Sequence, residues 1–178
     1  LDEVIPVLAR NLAMAMFAIY VLLAIPFRSY VQPLIVMSVI PFAGMGALFG
    51  HYIMGYNMSF LSLLGVIGLS GVVINGSLVL LDFTNEGLRQ GKQINDALMD
   101  AVRSRFRPLL LTSMTTFVGV SPVMFDTSLN GRFLAPVAIS LGFGVLFGAT
   151  ILMLMIPALS MVIDSLKQKF TTDESETS

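Results

Sequence analysis

Apolar residues fall in long unbroken blocks along the chain rather than in alternation. Residues 52–81 contain no Asp, Glu, Lys, Arg or His. About 20 apolar residues span a bilayer core, so this block crosses with room for tilt. Four more blocks lie at 6–27, 33–54, 108–125 and 133–163, and the central one is best bounded as 59–82. A membrane β-barrel would alternate over segments of about ten residues, which these blocks do not. The pattern predicts an all-α membrane protein, a bundle of five transmembrane helices. Pro41, Pro122, Pro136 and Pro157 fall inside or near the ends of these blocks. They imply kinks whose freed carbonyls need a neighbouring helix or side chain.

The connection between the third and fourth blocks has its own periodicity. Ile94, Ala97, Leu98, Ala101 and Val102 recur at three- and four-residue spacing, with Asp96, Asp100 and Arg103 on other faces. That predicts an amphipathic helix over 93–104. It either lies on the cytoplasmic membrane surface or packs against the ends of the bundle. Residues 1–165 then form the transmembrane domain, and 166–178, ending TTDESETS, form a polar, acidic, disordered tail. The start Leu-Asp-Glu-Val, with no Met and no signal peptide, predicts a fragment of a longer protein or a processed product.

Composition agrees with the pattern. The chain is 56% hydrophobic and 12% charged, against about 25% charged in soluble domains. With no cysteine, thiol and disulfide chemistry is excluded, and His51 as the one histidine gives no metal cluster. The twelve methionines are scattered, as gap-fillers in apolar cores are. No metal, no cofactor, no nucleic-acid partner and no enzyme activity is expected; the partner read directly is the lipid bilayer. Loop charge sets orientation. Arg28, Arg89, Lys92, Arg103, Arg105, Arg107, Lys167 and Lys169 fall on one side of five spans, and Arg10 and Arg132 on the other. The positive-inside rule puts the eight in the cytoplasm, with the C-terminus, and the N-terminus outside.

The third block is not a plain apolar rod. It carries Gly65, Gly68, Gly71, Asn75, Gly76 and Ser77 and ends in Asp82, Asn85 and Glu86. Polar residues within a membrane helix mark function more often than anchoring. Asn75 suits either a transport role or an interhelical amide bond. Thr112, with Ser113, Thr115 and Thr116, suits a hydrated path or back-bonding to carbonyls one turn earlier. Arg105 and Arg107, ahead of Pro108, suit a proton route or an interfacial anchor on lipid phosphates. Asp82 sits at the end of its span, where an interfacial carboxylate is the plainer reading. Gly46/Gly50 and Gly144/Gly148 form GxxxG pairs, for close packing within the chain, between chains, or by chance.

Two stretches carry a family resemblance: GVIGLSGVVINGSLVLLDFTNEG at 65–87 and DAVRSRFRPLLLTSMTTFVGVSPVMF at 100–125. The chain resembles the C-terminal membrane part of resistance-nodulation-division efflux transporters, most of all the hydrophobe/amphiphile exporter branch with the multidrug pumps. There the tenth helix carries a GxVVNNxIxLxDF-like stretch and the eleventh an R-x-R-P-x-x-x-T-S stretch. AIPFRSYVQP at 24–33 is similar to the turn after the eighth helix, and the likeness covers residues 5–165.

The resemblance implies that the five spans are helices eight to twelve of a twelve-helix protomer in the bacterial inner membrane, with a periplasmic N-terminus. It implies a proton-driven exporter of amphiphilic drugs or toxic compounds. Its partners would be the N-terminal half and periplasmic domains of the same polypeptide, two further protomers of a homotrimer, a periplasmic adaptor and an outer-membrane channel. Relatives in the family move metal ions, lipids or protein-translocation intermediates, and a non-transporting scaffold or sensor is a separate reading. Asn75 matches a position where the best-known drug pumps carry a lysine paired with two aspartates of the fourth helix. The resemblance makes Asn75, Thr112, Arg105, Asp82 and Ser113 the candidate proton-relay residues. An amide can bond a carboxylate but cannot neutralise it, so the relay here departs from an ion pair. No Asp, Glu or Lys lies deep in any predicted span, so the carboxylates of a relay must come from outside these residues.

Overall fold

A computed structural model describes the backbone of residues 4–176 and the side chains of 6–7, 10–11 and 13–165. It is all-helical over these residues: α1 Val4–Phe27, α2 Gln32–Met54, α3 Phe60–Arg89, α4 Ile94–Met124 and α5 Leu129–Glu176. Three of them, α2, α3 and the Leu129–Ser165 part of α5, are long and apolar enough to cross a membrane. The described apolar run of α1, Ala13–Phe27, is shorter. In α4 the hydroxyls of Thr112, Ser113, Thr115 and Thr116, together with Pro108 and Pro122, dilute the apolar half.

The turns follow from local chemistry. Gly55 ends α2 in the left-handed region at φ 70°, its N–H reaching the carbonyls of His51 and Tyr52. Ser59 and Ser62 begin α3 with a reciprocal cap, each side-chain oxygen accepting the other's backbone N–H, at 3.1 and 3.3 Å. Gly91, at φ 82°, turns the chain from α3 into α4.

α5 is the central strut, packed against α2, α3 and α4, while α1 leans on α2. Small residues set its approach. A Cβ on Gly50 of α2 would stand 2.5 Å from the Phe143 ring of α5, and one on Gly46 would overlap Phe147. Gly144 receives Leu69 of α3, and Gly148 lies against Val73 of α3 and Ala43 of α2. Both GxxxG pairs are thus intramolecular packing surfaces, where dispersion between close backbones holds helices that lipid does not press together. These pairs also give direction: α5 runs parallel to α3 and antiparallel to α2. Arg28, Arg89, Lys92, Arg103, Arg105 and Arg107 therefore gather at one end of the bundle.

The connection between the third and fourth blocks differs from expectation. Instead of a surface helix over 93–104 and a separate span over 108–125, α4 is one helix through Pro108. The reason is register. Ala97, Ala101, Arg105, Leu109 and Ser113 lie four residues apart on one face, so both halves share a single packed stripe. That offsets the bond Pro108 withholds from the Ser104 carbonyl. The first turns pack against α3, with Ala97, Leu98 and Ala101 buried and Ala97 2.9 Å from where a Cβ on Gly87 would stand. Other boundaries move as well: α3 runs to Arg89 rather than ending at Asp82, and α5 begins at Leu129. The α5 backbone continues to Glu176, while the side chains of the expected tail, 166–178, with Lys167 and Lys169, lie outside the described residues.

Candidate functional site

α3 and α4 are antiparallel neighbours, as Gly87 against Ala97 and Gly76 against Leu109 show. Gly76 keeps them close: a Cβ there would stand 3.2 Å from Leu152 and 3.3 Å from Leu109. The residues one turn to either side do not close the seam. They line a cleft of about 170 Å³ whose polar groups are Asn75 from α3 and Arg105, Thr112 and Ser113 from α4, over a floor that includes Ala149 and Leu152 of α5.

Four of the five predicted relay residues thus meet in one place. Asp82 does not: it sits exposed on α3, outside the cleft lining. The reason is axial: Asp82 lies seven residues, about 10.5 Å, beyond Asn75 along α3, past Val79, the last α3 residue of the cleft lining.

The polar groups differ in how they are satisfied. Thr112 Oγ1 donates to the Pro108 carbonyl at 2.8 Å, and Ser113 Oγ donates to the Leu109 carbonyl at 2.8 Å. Both hydroxyls back-bond along their own helix, which leaves their oxygens able to accept a hydrogen bond. Asn75 is exposed and makes no hydrogen bond among the described residues, so its amide offers a donor pair and an acceptor to the cleft. Arg105 lies over the Phe83 ring, 3.9 Å from its centroid, and its Nε is buried without a partner. No Asp or Glu lines the cleft, so its one charge is positive and uncompensated within the described residues.

Two further polar assemblies join helices distant in sequence. Gln32 of α2 and Asn85 of α3 exchange reciprocal amide bonds of 2.8 and 3.0 Å at the basic end. At the opposite end His51 is buried. Its Nδ1 meets the Ala47 carbonyl at 2.9 Å, its Nε2 meets Ser62 Oγ at 2.8 Å, and Ser140 of α5 donates to the Ser62 carbonyl at 3.0 Å. Neither was marked in the sequence. Gln32 and Asn85 each sit at the polar rim of a block, and nothing local couples residues so far apart.

Carboxylates beyond the cleft are tuned by neighbours. Asp100 is held below its ordinary range first by the hydrogen bond from Lys92, then by the Lys92 and Arg103 charges; Lys92 Nζ stands 2.7 Å away. Asp126 is held down by the backbone N–H and then the hydroxyl of Ser128, at 2.9 and 3.0 Å.

Residues 7–164 match the AcrB/AcrD/AcrF family. The fold is similar to that of a heavy metal efflux pump solved in two crystal forms. One superposes with a TM-score of 0.79 at 24% identity, over 89% of this chain and 16% of the pump. The other does so with a TM-score of 0.75 at 22% identity, over 89% and 15%. The chain thus spans about one sixth of the length of these solved structures. It belongs to the AcrB/AcrD/AcrF family of resistance-nodulation-division efflux transporters and is a membrane protein.

Proposed function

We propose that this chain is the C-terminal membrane portion of a proton-driven exporter of amphiphilic compounds, and that the α3–α4 cleft is one wall of its proton path. The observation that carries this is the meeting of Asn75, Thr112, Ser113 and Arg105 around a cleft with no carboxylate of its own. The open Asn75 amide and the unbalanced Arg105 guanidinium complement a carboxylate presented from outside the chain, while the Thr112 and Ser113 oxygens accept from water or from that group once it is protonated. A membrane-embedded carboxylate needs such partners when ionised and releases them when protonated.

In this reading Asn75 orients the carboxylate, and Thr112 and Ser113 order water or the same group when it is protonated. Arg105 serves the mouth at the basic end, and Asp82 stands outside the path. All five helices cross the bacterial inner membrane, with α1 and α4 supported by the rest of the transporter and the basic end in the cytoplasm. Protonation shifts one half of the protomer against the other and drives periplasmic domains that expel cargo. The assembly is a homotrimer working with a periplasmic adaptor and an outer-membrane channel.

For cargo, the 65–87 and 100–125 stretches favour the hydrophobe/amphiphile branch. A second reading, export of heavy metal ions, is favoured by the fold similarity to a heavy metal efflux pump. Cells expressing the full-length protein distinguish them. Low accumulation of a fluorescent amphiphilic dye, reversed by a protonophore, is expected. Unchanged dye together with protonophore-sensitive exclusion of copper, zinc or silver ions transfers the assignment to metals.

A further inference from the structure

The α3–α4 seam holds two cavities, one after the other. The cleft takes its α3 lining from Val72 to Val79 and its α4 lining from Arg105 to Ser113. A second pocket of about 330 Å³ lies toward the basic end. Its α3 lining runs from Phe83 to Gln90 and its α4 lining from Ala97 to Ser104. On α3 the two linings stand one turn apart, Val79 to Phe83. On α4 they are adjacent, Ser104 to Arg105, and no residue lines both cavities.

One stacked pair stands at the boundary. Arg105, from the cleft lining, lies 3.9 Å over the ring of Phe83, from the pocket lining. Helix direction accounts for the meeting. α3 runs toward the basic end and α4 away from it, and helical side chains lean toward their own N-terminus. Phe83 therefore leans back toward the cleft and Arg105 leans toward the pocket. Among the described residues Arg105 is in no ion pair, and its buried Nε has no partner. The negative face of the ring is what holds the guanidinium. At 43% exposure Phe83 is not a core residue, so removing its ring sacrifices little burial. The pocket beyond faces solvent: its carboxylates, Glu86 and Asp100, belong to exposed pairs with Arg89 and Lys92.

Building on the proton-path reading of the cleft, we propose that Phe83 is a positioning residue for Arg105, and that the stacked pair seals the cleft from the solvent-facing pocket. The closed stack interrupts a water chain along the seam. Its parting joins the two cavities and lets a proton reach solvent beside Glu86 and Asp100.

The test uses the full-length protein in liposomes with an internal pH dye, recording proton leak under an imposed gradient without substrate. Phe83→Ala is expected to raise the leak about fivefold, from the loss of one cation–π contact. Phe83→Leu, which keeps bulk without the ring face, is expected to raise it less. It replaces Phe83→Ala if that variant does not stay monodisperse. Phe83→Tyr, which keeps the ring, is expected to stay close to the native leak. Adding Asn75→Leu to the leaky variant is expected to bring the leak back down, because the path runs through the cleft. A native leak in both Phe83→Ala and Phe83→Leu overturns the proposal. So does a leak that Phe83→Tyr shares, or one that Asn75→Leu does not reduce, since either is general damage to the bundle. Substrate-driven flux in Asn75→Leu alone separates the two claims. Its loss beside a native leak in the Phe83 variants sinks only the seal, whereas its persistence sinks the proton-path reading and the seal with it.

Discussion

Asn75 and Thr112 face the same cleft in different states. The amide is open, whereas the hydroxyl already donates to Pro108. Losing a hydrogen bond to a charged group costs about 1.5–3 kcal/mol. Asn75→Leu is therefore expected to lower proton-coupled transport by about tenfold or more, measured as dye efflux at matched expression. Thr112→Val, which keeps the shape and removes an acceptor and the back-bond to Pro108, is expected to lower it less. His51 has the opposite signature, buried with both ring nitrogens engaged. Ser62→Ala leaves its Nε2 without a partner and is expected to destabilise the bundle by about 1–3 kcal/mol. A thermal-unfolding assay in detergent checks this, with transport per folded molecule preserved. The sequence marked Asn75, Thr112, Ser113 and Arg105 because polar side chains in apolar blocks stand out. It passed over His51 and Gln32, whose meaning lies in partners on other helices.

At the scale of the element, helix number and order were legible from the apolar blocks, and the joints less so. The sequence separated 93–104 from 108–125 because of Arg103, Arg105, Arg107 and Pro108. The four-residue stripe of buried and half-buried positions joined them into α4. The Asp100–Lys92 tie anchors the start of that helix. Asp100's folded pKa lies below its ordinary 3.8, so its contribution is present above that value and lost as pH falls through the lower folded one. Asp100→Asn should reduce hydrogen-exchange protection in the first turns of α4 at neutral pH. Its difference from the native chain should vanish once pH drops well below 3.8. The close helix contacts make a sharper prediction. A Cβ on Gly65 would stand 2.7 Å from Ser140 Cβ and 2.9 Å from the Val137 carbonyl, a backbone atom with little freedom to move. Gly65→Ala is expected to cost about 1–3 kcal/mol by overpacking, read as a lower unfolding temperature in detergent.

At the scale of the whole molecule, the bundle is polarised. One flank of α4 faces a polar cleft with Arg105 in its lining, and the other an apolar groove. The cleft as a unit was not legible from sequence, because spacing alone does not show that Asn75 and Thr112 face each other across a helix seam, nor that the cleft stops short of Asp82. The central claim is that this cleft conducts protons once carboxylates from beyond the chain complete it. It is tested most directly by reconstituting the full-length protein in liposomes with an internal pH dye and recording proton movement driven by an amphiphilic substrate. The account predicts that Asn75→Leu abolishes most of the substrate-driven proton flux while substrate binding persists. Undiminished proton flux in that variant would contradict it.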